Sequence, residues 1–125
     1  MKKIKVVCGV IMNSENNYLI TQRGDFNNFQ KWEFPGGKVE STENIFQSIK
    51  RELKEELNIE VAPVKKLLEY DYKEYNLSFI ECTLHSKTIV LNEHLNYKWV
   101  CIEDFNNFEF LEGDNLFINF LKTKP

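Results

Sequence analysis

Residues 37–59 read GKVESTENIFQSIKRELKEELNI, and this stretch decides how the chain folds. No Gly or Pro interrupts residues 38–62, and apolar side chains recur at every fourth position: Ile45, Ile49, Leu53 and Leu57. That spacing predicts an amphipathic helix with one apolar stripe. Thr42 is the expected cap of its first turn, and Glu43 would lie at the positive end of the helix dipole.

Three carboxylates share one narrow sector of this helix, because Glu52, Glu55 and Glu56 are spaced at i, i+3 and i+4. Such a cluster is costly on a plain solvated helix, and it borders the apolar stripe. Carboxylates held together beside apolar packing favour a hard divalent cation. The alternative is a solvated acidic face paired with neighbouring lysines, the commoner meaning of an arbitrary ExxEE pattern. The context of the three glutamates decides against it.

The context consists of a turn before the helix and two residues that flank the cluster. Residues 34–38, FPGGK, supply glycine backbone that can approach a ligand closely and a lysine for phosphate charge. Gly37, Glu43 and residues 51–59, RELKEELNI, also stand at the spacing of the Nudix box, which this stretch resembles. That box reads Gly, five residues, Glu, seven residues, then Arg-Glu-apolar-any-Glu-Glu-any-Gly-apolar.

One box position departs, because Asn58 stands where the family has Gly. That Gly ends the helix in the left-handed conformation, for which Asn is the next-best residue. The wider chain resembles the MutT-like branch of the family. The resemblance implies an α+β fold, an α/β/α sandwich in which helices flank a mixed β-sheet, and a single Nudix domain over residues 1–125.

The resemblance implies a Mg²⁺ or Mn²⁺ cofactor, which pyrophosphate cleavage needs to neutralise phosphate oxygens and activate water. It makes Glu52 and Glu56 metal ligands, and Glu55 a ligand of a metal or of its water. The Gly36 carbonyl is an expected further ligand. Glu93 is implied as general base or additional ligand, the alternative being an exposed loop acid. Structural support is implied for three residues: Gly37, Glu43 and Arg51, the last paired with Glu43.

The expected substrate-binding residues share a position near the box or near a strand end: Arg23, Glu33, Phe34, Pro35, Gly36, Lys38, Tyr72 and Asp114. Lys38 is expected on phosphate, and Arg23 on phosphate or base, a solvated arginine being the alternative. Phe34 and Tyr72 are candidate walls for a base, or else core residues. His94 is expected to make local hydrogen bonds only, and His85 belongs to no motif.

Asp114 is the candidate for base specificity, and a helix N-cap is its alternative role. A carboxylate accepts a hydrogen bond from an exocyclic amine such as cytosine N4 or guanine N2. The Pro-Ala that precedes this position in the family is absent from residues 111–115, LEGDN. Pyrimidine and oxidised purine therefore both stay open.

Strands are expected at residues 5–12, buried on both faces, and at residues 18–22, 68–73, 77–84 and 97–102. Residues 32–34 form a short extended piece, residues 87–91 are a candidate edge strand, and a terminal helix follows Asp114. Residues 24–31 are a loop beside the site.

Composition limits the partners. The 125 residues carry a net charge of −3, which argues against a nucleic-acid polymer but not against a small anion beside a metal. Three cysteines without metal spacing (Cys8, Cys82 and Cys101) are expected to be buried and reduced, and with no signal peptide they predict a cytoplasmic protein. No apolar run is long enough to cross a membrane. Monomer and homodimer stay open.

The resemblance therefore implies magnesium-dependent cleavage of a nucleoside triphosphate to monophosphate and pyrophosphate. Oxidised dNTPs such as 8-oxo-dGTP are the expected substrates, in sanitation of the nucleotide pool and so in DNA repair. A CTP or dCTP pyrophosphatase is the alternative. Two rivals come from other classes: a nucleotide-binding Nudix domain without catalysis, disfavoured by the intact carboxylates, and a helical interaction module, which predicts no metal dependence.

Overall fold

The computed structural model describes residues 2–86 and 88–124. The predicted helix is present as α1, Ile45–Leu57, and its apolar stripe is fully buried at Ile49, Leu53 and Leu57. Burial of this stripe against the sheet holds the helix in place, since a 13-residue helix is marginal by itself.

The start of α1 differs from the prediction, because the N-cap is Asn44 and not Thr42. The Asn44 side chain accepts a hydrogen bond from the Gln47 backbone N–H at 2.8 Å, and the Gln47 side chain accepts one from the Asn44 N–H at 2.9 Å. This reciprocal pair satisfies two backbone donors, which a Thr42 cap would leave open. At the other end Asn58 is left-handed, with φ 57° and ψ 36°, as predicted.

In the described part of the chain, seven strands form two sheets: β1 (Ile4–Val10), β2 (Tyr18–Gln22), β3 (Trp32–Glu33), β4 (Gly36–Lys38), β5 (Val61–Tyr72), β6 (Tyr75–Leu84) and β7 (Asn96–Val100). The first sheet has the order β4-β1-β6-β5, with β1 parallel to β6 and antiparallel to β4. The second has the order β3-β2-β7 and is antiparallel. The predicted mixed-sheet α+β class is confirmed.

Helices α1 and α2 (Asn115–Thr123) cover opposite faces of the first sheet. Val7 and Ile80 pack with the α1 stripe, whereas their chain neighbours Cys8 and Phe79 belong to the other core. That core contains Phe79 and Phe117, whose rings stack at a centroid distance of 4.2 Å. The alternation of side chains along a strand thus builds the two cores of a sandwich.

Two strand predictions need correction. β5 begins at Val61 and not near residue 68, because Pro63 lies in an edge strand, where a missing N–H is tolerated, and register shifts flank Lys65. β1 is buried only in its second half, from Val7 to Val10. The N-terminal half is partly or fully exposed, so the expectation of a strand buried on both faces was wrong there.

The candidate edge strand at residues 87–91 is absent over residues 88–91, and Lys87 lies outside the described residues. The segment instead lies over the end of α1, where the Val90 N–H donates to the Leu57 carbonyl at 3.0 Å. Cys8 and Cys82 are buried as expected, but Cys101 is only half-buried. In the described part of the chain no helix is long and apolar enough to span a bilayer.

Candidate active site

A cleft of about 980 Å³ gathers residues from both sheets, from α1 and from the segment before α2. Eleven of the predicted site residues line it: Arg23, Glu33, Phe34, Gly36, Gly37, Lys38, Glu52, Glu56, Tyr72, Glu93 and Asp114. Four do not line it: Pro35, Glu43, Arg51 and Glu55. Pro35 is buried, and its carbonyl accepts a hydrogen bond from Gly9, which fixes the turn before β4.

Glu52 and Glu56 form a half-enclosed acidic pair, with side chains 13% and 12% exposed. The Glu52 carboxylate lies directly over Gly37, where an added Cβ would overlap the carboxylate atoms. Gly37 therefore lets this carboxylate rest against the turn. Burial first, then the Glu52 carboxylate and the charges of Glu33 and Glu93, raises the pKa of Glu56 far above its ordinary value.

This pair fits a hard divalent cation. The Glu56 Oε1 atom is buried and has no hydrogen-bond partner among the described residues. Within residues 2–86 and 88–124 no three acidic, histidine or cysteine side chains converge into a complete metal cage. Mg²⁺ suits such a site, because it uses one or two carboxylates and keeps water or phosphate as its other ligands. The Gly36 carbonyl belongs to the first residue of β4, which lines the same cleft.

Arg51 holds Glu52, one member of the acidic pair, from outside the cleft. Its Nε and Nη2 atoms donate to the two Glu43 oxygens at 2.6 and 2.9 Å, which is the ion pair expected from the sequence. Nη1 donates to Glu52 at 3.1 Å, and Nη2 donates to the Lys38 carbonyl at 3.1 Å. The Arg51 hydrogen bonds lower the pKa of Glu43 to about 2. One guanidinium thus ties the start of the box to α1.

Glu55 does not line the cleft, although the Arg51 Nη1 that donates to Glu52 also donates to it. Its side chain is 57% exposed, and its carboxylate accepts a hydrogen bond from Arg51 Nη1 at 2.8 Å. The prediction that all three carboxylates share one narrow sector was too coarse. Glu52 and Glu56 line the cleft, whereas Glu55 bonds to Arg51 and does not. The role of Glu55 as a metal ligand stays a prediction.

A second polar group crosses the cleft from Arg23 to His94 by way of Glu33. Arg23 Nη1 donates to Glu33 Oε1 at 3.1 Å, and Arg23 Nε donates to Asp25 at 2.6 Å. His94 Nε2 lies 2.8 Å from Glu33 Oε2 and 3.8 Å from Glu56 Oε1. The expectation that His94 makes only local hydrogen bonds was wrong, because its partner Glu33 lies 61 positions away in the chain.

Asp114 is a buried acid that lines the same cleft, 5% exposed. It occupies the N-cap position of α2 but makes no capping hydrogen bond. Its Oδ2 instead accepts the Phe34 backbone N–H at 3.0 Å, so the cap alternative was wrong. Burial first, then the charge of Glu33, raises the pKa of Asp114 to about 8, which makes it a proton donor at neutral pH.

Phe34 and Tyr72, the two aromatic residues predicted as walls for a base, lie in different environments. Phe34 is 1% exposed, and its ring packs edge-on against Phe117 at 5.2 Å. Phe34 is therefore a core residue that gives the cleft its backbone N–H and no stacking face. Tyr72 is half-buried and lines the cleft, and its hydroxyl donates to Glu112.

Sequence reasoning missed Tyr70, which supports the cleft without lining it, and several residues that do line it. Tyr70 donates its hydroxyl to the Gly113 carbonyl at 2.6 Å and accepts the Phe117 N–H at 3.2 Å, which holds the segment that carries Asp114. The residues that line the cleft without having been predicted include Cys8, Gly24, Asp25, Asn28, Lys31, Glu112 and Gly113. None carries a motif, and only the position of residues 24–31 beside the site pointed to four of them.

Known proteins are similar to this chain in sequence and in fold. The chain is 34% identical over 112 residues to an 8-oxo-dGTP diphosphatase of Buchnera aphidicola subsp. Schizaphis graminum, covering 88% of this chain and 86% of that protein. A solved MutT structure from work on Aliivibrio salmonicida and Vibrio cholerae superposes with a TM-score of 0.78 at 32% identity, covering 96% and 97% of the chains. A CTP pyrophosphohydrolase of Escherichia coli is 42% identical over 62 residues, 50% of this chain and 46% of that protein.

The family assignment draws on the same residues that build the cleft. The profile of the NUDIX domain matches residues 2–119, which include the turn, α1, the loop of Glu93 and Asp114. Together with the extent of the similarity to the Buchnera protein, this match shows that the chain belongs to the NUDIX family of hydrolases.

Proposed function

We propose that this chain is a magnesium-dependent pyrophosphohydrolase that cleaves a nucleoside triphosphate to monophosphate and pyrophosphate, with 8-oxo-dGTP as its substrate. One observation carries the proposal: the half-enclosed pair of Glu52 and Glu56 faces the same cleft as the buried acid Asp114. The first group suits a cation and the phosphate chain, and the second suits the edge of a base. The cleft is large enough to hold both parts of a nucleotide.

Glu52, Glu56 and the Gly36 carbonyl would hold the cation, with Glu55 and Glu93 as further candidates. When bound, Mg²⁺ neutralises phosphate oxygens and favours a water nucleophile. The protein's own part is to keep two carboxylates close together. Arg51 fixes one of the two, Glu52, because its guanidinium donates from outside the cleft to Glu52 and to the Glu43 carboxylate.

The phosphate chain would lie between the acidic pair and the basic residues of the cleft wall. Lys38 is exposed at the turn, and its ammonium suits a terminal phosphate. Arg23 already bonds two acids, so it would meet phosphate with the remaining N–H groups of its guanidinium. Glu93 is exposed in the cleft, and its carboxylate is our candidate to take the proton from the attacking water.

The protonation of Asp114 supports a 6-oxopurine nucleotide as substrate, a class that includes both dGTP and 8-oxo-dGTP. With a pKa of about 8 the carboxyl is largely neutral at pH 7, so it offers one O–H donor. Because Oδ2 accepts from Phe34, the other oxygen can donate to a purine 6-oxo group. The relative from Buchnera, named an 8-oxo-dGTP diphosphatase, supports the same substrate.

The same residue supports the second candidate, a CTP or dCTP pyrophosphatase. An ionised Asp114 would accept a hydrogen bond from the cytosine N4 amine, and one relative is named a CTP pyrophosphohydrolase. We also infer that the protein acts in the cytoplasm, where it would remove oxidised nucleotides before DNA synthesis. Neither a monomer nor a homodimer is favoured.

A substrate panel tests the proposal. Purified protein is assayed for pyrophosphate release from 8-oxo-dGTP, dGTP, CTP, dCTP, a sugar nucleotide and a dinucleotide, each with Mg²⁺ and with EDTA. We expect release from triphosphates with Mg²⁺ alone, and the highest kcat/KM for 8-oxo-dGTP. A preference for cytosine nucleotides would replace the substrate, and no release from any triphosphate would end the proposal.

A further inference from the structure

The loop that carries Glu93 is tied to the rest of the molecule at both ends by backbone hydrogen bonds. The Asn92 N–H donates to the Glu56 carbonyl at 3.0 Å, and the Leu95 N–H donates to the Gln22 carbonyl at 2.9 Å. These bonds fix where the loop begins and ends. They leave the direction of Glu93, which lies between them and is exposed, to its neighbour in the chain.

That neighbour, His94, is anchored by its side chain. The imidazole is 6% exposed, and its Nε2 lies 2.8 Å from Glu33 Oε2. The other Glu33 oxygen accepts a hydrogen bond from Arg23 Nη1 at 3.1 Å. A carboxylate oxygen that faces a ring nitrogen acts as the acceptor, so we assign an Nε2–H to His94, whose Nδ1 is buried and has no hydrogen-bond partner among the described residues.

We propose that His94 is a positioning residue for catalysis, which acts through Glu33 to hold Glu93 and Glu56 in the cleft. Consecutive Cα atoms are about 3.8 Å apart, so a fixed His94 ring confines the backbone of Glu93. The same Nε2 lies 3.8 Å from Glu56 Oε1, which brings the anchor beside the acidic pair. Glu33 in turn has both oxygens bonded within the protein, so it supports the site, and its contact with substrate stays a prediction.

The kinetic test rests on the proposed function and compares two substitutions of His94. His94→Gln keeps an N–H donor at a similar reach, and His94→Leu keeps volume without a donor. We expect His94→Leu to lower kcat about 10- to 100-fold, the usual loss when a partner of metal-ligating groups is removed. KM should change less than about threefold, and His94→Gln should recover most of kcat.

Two controls separate positioning from a general loss of structure. His85 is the second histidine of the chain and is exposed, so His85→Leu should keep wild-type kcat. In a Glu33→Leu background, His94→Leu should cost less than about threefold more, because its partner is already gone. Thermal unfolding of each variant shows whether it is folded.

A spectroscopic test does not depend on activity. With two histidines in the chain, ¹⁵N imidazole spectra contain two ring systems, and His85→Leu assigns them. We expect His94 to be the Nε2–H tautomer, with a slowly exchanging ring proton that is lost in Glu33→Leu. If wild-type protein cleaves no nucleotide but this signal is present, the proposed function fails and the anchor stands.

Three results would overturn the role of His94. The first is a folded His94→Leu variant with wild-type kcat. The second is a His94→Gln variant that is no better than His94→Leu, since loss of the donor would then not be the cause. The third is a His94 ring that carries its proton on Nδ1 or exchanges freely, which would show that the bond to Glu33 does not form.

Discussion

Replacing Asp114 by Asn tests whether this buried acid is neutral in the folded protein. The substitution keeps the size of the side chain and an oxygen for the Phe34 N–H, but it removes the group that titrates. Asp114 has a pKa raised to about 8, against an ordinary value of 3.8. The folded state therefore holds a proton that the unfolded state releases, and this contribution to stability falls as the pH rises from about 4 through about 8.

The size of the effect follows from that pKa. Between pH 6 and pH 9 a group with a folded pKa of about 8 loses about 3 kcal/mol of stability, if the unfolded chain is ionised throughout. For a chain of 125 residues this corresponds to about 10 °C in Tm. The amide introduced by Asp114→Asn has no proton to lose, so the variant should gain stability over wild type by this amount across the range.

Urea unfolding measures the difference in buffers with EDTA at pH 6, 7, 8 and 9. Asp71→Asn, on an exposed part of β5, is the matched control and should follow wild type at every pH. A difference between Asp114→Asn and wild type that stays constant to within about 0.5 kcal/mol would refute the reasoning. Asp114 would then be ionised throughout, and the donor assigned to it for an oxidised purine would be lost.

Three further substitutions test single contacts. Glu56→Gln should lower kcat about a thousandfold or more, because it removes a negatively charged ligand of the cation, while Tm in EDTA stays equal or rises; near-normal pyrophosphate release would contradict the metal assignment. Gly37→Ala should lower kcat with little change in Tm, since its Cβ would displace the flexible Glu52 carboxylate. Gly36→Ala should lower Tm, because its Cβ would collide with the Val7 backbone carbonyl. Equal changes of Tm in the two variants would contradict this geometry. Asn58→Ala should cost about 1–2 kcal/mol in urea unfolding, because φ is 57° and a bond to the Val90 carbonyl is lost, and an unchanged midpoint would contradict that.

The helix and its ends show what spacing can predict. The apolar stripe gave α1 and its burial, and Asn58 gave the left-handed end, because both depend on local sequence. The cap was missed because Asn44 and Gln47 act as a pair, and Thr42 was judged alone. A strand was expected only from residue 68, but β5 already begins at Val61, because Pro63 at a sheet edge costs no hydrogen bond.

The part of the site that lies within the Nudix box was predictable from the sequence. The i, i+4 spacing placed Glu52 and Glu56 together, and the ion pair of Arg51 with Glu43 is present. Helical spacing could not show that Arg51 draws Glu55 away from the cleft.

Contacts between residues that are far apart in the chain could not be predicted from residue spacing. Glu33 meets His94 over 61 positions, and Phe34 meets Asp114 over 80 positions. Tertiary packing alone brings these pairs together. It also turns the Phe34 ring into the core while its backbone N–H faces the site, a division that residue type does not reveal.

The dependence of wild-type activity on magnesium tests the central claim most directly. Protein treated with EDTA is titrated with Mg²⁺ in the presence of 8-oxo-dGTP and of CTP, and the products are resolved by ³¹P NMR. The account predicts no cleavage before Mg²⁺ is added, followed by equal amounts of nucleoside monophosphate and pyrophosphate. Cleavage that ignores Mg²⁺, or orthophosphate as the first product, would contradict it.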